Sequence, residues 1–573
     1  VKNRNRKLTC GILLLLGVWR AHAQVDVLTQ HNDNQRSGLN RSEVVLTQQT
    51  VRKNFGKLWT LYSDAKIMTQ PLYVSNLTSA ECPKACNVVI FASMKGTIYA
   101  YKADQKPLTA NDTLIWARYL GDPQLGNKYL DKWATDDPWW GILGTPVIDR
   151  FAGSIYAVVW NRDGQYRIYE LDLATGNIKK GPVVVQGTVG TVSFVEKRTG
   201  WRQLRKQRAA LLLSEGVLYV AFGGDNDQGL AGWLFAYDAG ALTLKAVWSP
   251  TSGGRNGGIW QSGQGPAADN SGNIYLQTGD GEFDAQRQLF GNSLVRLRLG
   301  AGGFTVTDYF TPCEQAFLDR CDYDLGSAAP LLFNDSVVAG GKTGKLYLMR
   351  ADKLGQYVAG PETPKSGSCK VIPECSEGPR VVQKWRGAIG HIHGAPVFWN
   401  GPGGQSWLYV MGEGDRLKAF PFVNGKFDVA AQRHSQWQPG KPGKQSCGGS
   451  LDYWMPGGIL SLSSNGDAAG TGILWALVPA NGDATTYRGV KGMLLALNAE
   501  DVSQELWRSQ AKDAAASNTK DSFGLLARFV PPTIANGKVF VATAGDKEPL
   551  SRWCNQRPTI FPKNYGLVVY GLK

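Results

Sequence analysis

The chain has 573 residues and a net charge of +15 from 62 basic and 47 acidic side chains, with 69 Gly, 19 Trp and 21 Tyr. The excess charge is spread out rather than set in a basic stripe interleaved with aromatics, which argues against a nucleic-acid surface. Its densest run, residues 197–208 (KRTGWRQLRKQR), reads as a solvated basic loop.

The N-terminus has the order of a signal peptide. Lys2, Arg4, Arg6 and Lys7 precede a short apolar core over residues 11–19, and Ala21-His22-Ala23 offers small residues for a cut before Gln24. Residues 1–23 are expected to be removed, leaving a mature chain of 24–573 as one domain, periplasmic or secreted, with a charge of +10. No later apolar run reaches the roughly 18 residues that a membrane helix needs. Without Cys10, eight cysteines remain for an oxidising compartment. Their spacing favours the pairs Cys82–Cys86, Cys313–Cys321 and Cys369–Cys375, with Cys447 and Cys554 as a long-range pair. None of the spacings makes a haem or zinc motif.

His31-Asn32-Asp33-Asn34 reads as a turn network near the strand that closes the fold. Beyond it, short β-branched and aromatic runs broken by Gly and Asn indicate an all-β protein. A strand–turn–strand unit followed by an acidic turn and often a Trp recurs eight times. The units start near residues 87, 144, 210, 265, 329, 394, 457 and 530. Each unit can bury its sheet only against its neighbours, so the array is expected to close as an eight-bladed β-propeller. KLWTLY (57–62) would supply the strand that pairs with the last blade. Trp59, Trp116, Trp248 and Trp507 are expected to pack blade against blade. The Pro- and Gly-rich stretches 360–380 and 440–449 read as loops on the binding face.

Chemistry concentrates in residues 257–330. Trp260 is followed by Asp280, Glu282 and Asp284 on a glycine-bracketed turn, then by Asp319, Asp322 and Asp324. Carboxylates beside a large aromatic suit a hard metal ion and a flat ligand. A second constellation is His391 and His393 in GAIGHIHGAP, with Tyr453 further on. Two alternating histidines can ligate a metal or act as acid and base.

Turns such as ELDLATG (170–176) and FAYDAGAL (235–242), with HNDNQRSGLN, GGIWQSG, TGDGEFD, DLGSAAPLL and FVPPTIANGKVFVAT, resemble secreted pyrroloquinoline quinone (PQQ)-like repeat propellers of the quinoprotein alcohol dehydrogenase class. The resemblance covers nearly all of the mature chain. It implies that Trp260 floors the quinone, that Asp280 replaces the metal-binding Asn of a TGN turn, and that Asp322 is the catalytic Asp. It places Asp324 as the extra ligand of lanthanide-dependent members, Lys342 beside the quinone and Asp227 as a further acidic ligand. A Cys313–Cys321 bridge would then stiffen the loop that presents Asp322. The family's adjacent Cys–Cys roof is missing.

The implied activity is oxidation of an alcohol or sugar hydroxyl with PQQ and Ca²⁺ or a lanthanide. Electrons would pass to a separate acceptor, since the chain carries no haem motif. Two alternatives stand beside it: a cofactor-free scaffold binding protein or polysaccharide, and a carbohydrate lyase or hydrolase built on His391, His393 and Tyr453.

Overall fold

Strand-forming runs separated by tight turns fold locally into antiparallel sheets built on four strands, three of which gain a fifth, and eight of these sheets make a closed ring in the computed structural model. The structure describes residues 25–109, 112–126, 138–195, 205–224, 230–360, 368–369, 371–439, 454–480, 482–484, 490–510, 520–546 and 564–573. The expected leader, Asp227, Cys447, Tyr453 and Cys554 lie outside them.

Blade 1 runs from the strand Leu72–Ser79 to Leu114–Tyr119, blade 2 from Val147–Asp149 to Ile178–Val184, and blade 3 from Leu212–Ser214 to Leu244–Trp248. Blade 4 begins at Ala267–Ala268, blade 5 at Leu331–Phe333, blade 6 at Val397–Asn400 and blade 7 at Ile459–Ser463. Blade 8 takes three strands from the C-terminal end and its fourth, Phe55–Tyr62, from near the start, antiparallel to Gly566–Leu572. The expected closing strand is therefore present. It removes the open edges that an incomplete ring would expose.

The core lies between blades. Trp116 of blade 1 donates its indole N–H to Leu173 O of blade 2 at 3.2 Å and lies flat against Gly176. A Cβ on Gly176 would meet the indole at 2.5 Å, and its φ of +67° favours glycine, so the glycine of the ATG turn makes room for the neighbouring blade's tryptophan. Among the described residues no helix is long and apolar enough to cross a membrane.

The segment before the closing strand does more than form a local turn. Val27 pairs with Tyr73 of blade 1, Asn34 O accepts from Ala268 of blade 4, Gln35 O from Leu332 of blade 5, and Gly38 O from Leu462 of blade 7. At its centre Arg36 is fully buried and donates to Thr29 Oγ1 and to the carbonyls of Gln30, Leu211 and Pro266. His31 is buried within this network, its ring nitrogens against the carbonyls of Arg36 and Leu460. The segment staples the innermost strands together.

Of the expected disulfides, Cys82–Cys86 forms, with Cα atoms 5.6 Å apart. Cys313–Cys321 and Cys369–Cys375 do not: the pairs are Cys313–Cys375 and Cys321–Cys369, with Cα separations of 6.1 and 5.6 Å. The reason is the helix Gln315–Cys321. It holds its own ends roughly 9 Å apart, beyond the ~7 Å a disulfide can span. Each end is tied instead to the 368–375 stretch.

The basic run 197–208 is also corrected over its described end. Arg205 is buried, donating to Ala231 O and Phe194 O at 3.0 and 2.9 Å. Lys206 lies over the Trp140 ring at 5.0 Å, and Arg208 is buried beside Phe529. These cations satisfy the loop entering blade 3 from inside.

Candidate functional site

Because successive strands alternate in direction, the loops entering each innermost strand and the turns joining second to third strands lie on one face of the ring. Every site residue described below sits on one of those two kinds of connection. Asp280, Lys342 and Glu413 each follow a glycine (Gly279, Gly341, Gly412) in the second-to-third turn of blades 4, 5 and 6. Trp260 and Asp324 each stand six residues before the proline (Pro266, Pro330) that precedes an innermost strand. The repeat thus converts distant sequence positions into one ring of side chains.

Asp322 caps the helix Gln315–Cys321 in the left-handed region, at φ 57°, with its N–H bonded to Leu318 O. That reversal turns the chain so that Asp324, two residues on, faces the blade 5 turn. Gly341 allows the approach, since a Cβ there would meet Asp324 O at 2.3 Å. Lys342 Nζ then lies 2.5 Å from Asp322 Oδ1 and 2.6 Å from Asp324 Oδ2. Asp324 Oδ1 accepts the Asp280 N–H at 2.8 Å, and Asn292 Nδ2 donates to Asp280 Oδ1 at 2.9 Å. One oxygen from each of Asp280, Asp322 and Asp324 lies within 4.8 Å of the others.

Lys342 pairs with two of the three carboxylates, and the protonation of Asp280 and Asp324 reflects its charge. Burial first, then the Asp324 charge, pushes Asp280 up to about 10. Burial also works against ionisation of Asp324, but Lys342 overrides it and holds Asp324 below the usual carboxylate range. Lys342 is desolvated too, yet Asp324, Asp322 and Asp280 raise it above an ordinary lysine. A cluster that keeps one buried carboxyl protonated is short of positive charge.

The other expected acids fall away from the cluster. Glu282 pairs with Arg287 at 2.8 Å, Asp284 accepts from its own turn at Gln286 N, and Asp319 pairs with Arg255. Trp260 is half-buried, its ring 6.0 Å from both His393 and Phe529. Arg208 lies over the Phe529 ring at 5.9 Å, and burial, then the charge of Arg528, lowers it to about 9. Arg528 is buried as well, and among the described residues no carboxylate pairs with either guanidinium.

His391 and His393 lie on the loop entering blade 6 rather than on a strand, yet both reach one partner, Glu413. Burial lowers His391 to about 4. Glu413, Asn292, Arg208 and Arg528 are site residues that motif reading missed. Aligning the eight repeats on their second-to-third turns would have brought out Glu413.

No family model matches the chain, and no curated protein does. Solved structures do. The chain is similar to a quinohemoprotein alcohol dehydrogenase from Comamonas testosteroni, at 14% identity over 96% of this chain and 80% of that one with a TM-score of 0.55. A quinohemoprotein alcohol dehydrogenase from Pseudomonas putida HK5 gives 15% identity over the same shares, 96% and 80%, with a TM-score of 0.52. A europium-containing methanol dehydrogenase gives 14% identity over 96% of this chain and 98% of that one, with a TM-score of 0.55. The chain is an eight-bladed β-propeller with the fold of the quinoprotein alcohol and methanol dehydrogenases.

Proposed function

We propose that the protein is an exported quinoprotein-type dehydrogenase that oxidises an alcohol or sugar hydroxyl with PQQ and a hard metal ion. The observation that carries this reading is the charge-deficient cluster of Asp280, Asp322, Asp324 and Lys342 at the mouth of the ring. Carboxylate oxygens at this spacing are the donor set for Ca²⁺ or a lanthanide, and a bound cation would let Asp280 ionise.

The surroundings fit the quinone as well. PQQ is flat and carries three carboxylates. The half-buried face of Trp260 offers a stacking floor, and the buried guanidiniums of Arg208 and Arg528 offer charge without competing acids among the described residues. When bound, the quinone and cation supply a two-electron acceptor with a polarised carbonyl.

The chain's own part is positional. Asp322 is the most exposed of the three carboxylates and stands where a substrate hydroxyl can reach it. It takes the hydroxyl proton at Oδ as the carbon gives up two electrons and a hydrogen nucleus, which yields the carbonyl product. Lys342, held by Asp324, keeps a positive charge at the same mouth. The Cys321–Cys369 bridge, one residue before Asp322, holds the loop that presents it. Electrons leave to a separate acceptor. The test is uptake of PQQ by the full chain, which this reading makes dependent on calcium or lanthanum.

A further inference from the structure

The same mouth holds a second cluster with different donor atoms. His393 Nε2 lies 2.9 Å from Glu413 Oε1 and His391 Nδ1 lies 3.4 Å from Glu413 Oε2, and one donor atom from each of the three lies within 4.8 Å of the others. We propose that His391, His393 and Glu413 bind a divalent transition ion of the zinc or cobalt type, at a site distinct from the carboxylate cluster. This site needs neither the quinone nor the hard cation.

Its first support is the proton inventory around His393. Ser262 Oγ–H donates to Ser327 O at 2.5 Å, and a carbonyl can only accept, so the serine proton is committed. Ser262 Oγ therefore faces His393 Nδ1, 3.2 Å away, as an acceptor, which puts the imidazole proton on Nδ1. In the neutral ring Nε2 then carries a lone pair toward a carboxylate that also carries lone pairs. The two atoms are 2.9 Å apart but out of line for a hydrogen bond. Such a pair calls for a cation between them. A histidine fixed through its other ring nitrogen is how metal ligands are held in register.

Glu413 gives the second support. Its side chain is 1% exposed, and among the described residues neither carboxylate oxygen has a hydrogen-bond donor. A buried carboxylate left this way is costly unless a positive charge answers it. The separations fit that charge: two donors each about 2.1 Å from one ion, and 90–110° apart around it, lie roughly 3.0–3.4 Å from each other. The observed 2.9 and 3.4 Å are edges of such a polyhedron. Two imidazoles and one carboxylate select a borderline ion, whereas the all-oxygen cluster selects a hard one. Three protein donors also leave a position for water or another ligand.

Cobalt(II) provides the readout, because its visible absorption in a low-symmetry nitrogen and oxygen site is separate from any activity. Full-length protein is freed of metal by chelation, saturated with calcium to occupy the carboxylates, and titrated with Co²⁺. One equivalent should bind with visible absorption and be displaced by Zn²⁺. Asp280→Ala should leave this unchanged. His391→Ala, at a loop position outside the strands, should abolish it, as should His393→Ala. Ser262→Ala should weaken the affinity about 10–100-fold by freeing the ring. No cobalt uptake by the wild type would make His393 and Glu413 a buried ion pair and overturn the proposal. Equal uptake by folded His391→Ala would overturn it too.

Discussion

Lys342→Met is expected to cost the metal-free protein about 3–5 kcal/mol of stability, the usual penalty for removing one partner of a buried ion pair. Lys342 is 10% exposed and faces Asp324, which is 13% exposed, so its loss leaves buried negative charge with no answering cation. The same loss creates a cation-shaped need. Calcium or lanthanum should therefore restore most of the lost stability, and should stabilise the variant more than it stabilises the wild type. Denaturant melts in chelator and in saturating metal separate the two effects. A variant as stable as wild type in chelator would show that the lysine does not balance the cluster.

Proton linkage points the same way. Asp280 is raised from an ordinary aspartate to about 10 in the metal-free fold. A raised folded-state value contributes stability that is complete below the unfolded value near 4 and is lost as pH rises through the folded one. In chelator, wild type should thus lose stability relative to Asp280→Asn between about pH 4 and 10. Bound metal should cancel that loss, since it favours the ionised carboxylate. A flat difference across that window would remove Asp280 from the charge balance.

Asp322→Asn carries the second large effect. A positioned general base is worth about 10²- to 10⁴-fold, and dye-linked alcohol oxidation by protein loaded with PQQ and metal should fall by that much. The fold should not suffer. Asp322 is 62% exposed, Asn accepts the left-handed conformation at φ 57°, and Asp324 still holds Lys342. Turnover that survives the change would leave Asp322 as a partner of Lys342 and nothing more.

The ring was legible in the sequence because its cause is local and repeated. ELDLATG carries the glycine that admits Trp116, and KLWTLY carries the strand that seals blade 8. Asp280, Asp322, Asp324, Lys342 and Trp260 could be named because the short motifs that carry them resemble those of quinoprotein dehydrogenases. The disulfides could not, because spacing in the chain does not reveal that a helix lies between Cys313 and Cys321. Arg208 was hidden inside a basic run whose burial depends on the loop entering blade 3. Arg36 was hidden for a further reason: its partners lie on other segments, so its role exists only once the ring has closed. Glu413 holds the place in blade 6 that Asp280 and Lys342 hold in blades 4 and 5, but no family motif marks it.

Whether Trp260 holds a quinone and the carboxylates a cation is read by titrating PQQ into the metal-free protein and following quinone absorbance. Saturable uptake is expected only when Ca²⁺ or La³⁺ is present, and it should be lost in Asp280→Ala and in Trp260→Ala. No uptake with either ion, or uptake indifferent to metal and to both substitutions, would contradict both assignments.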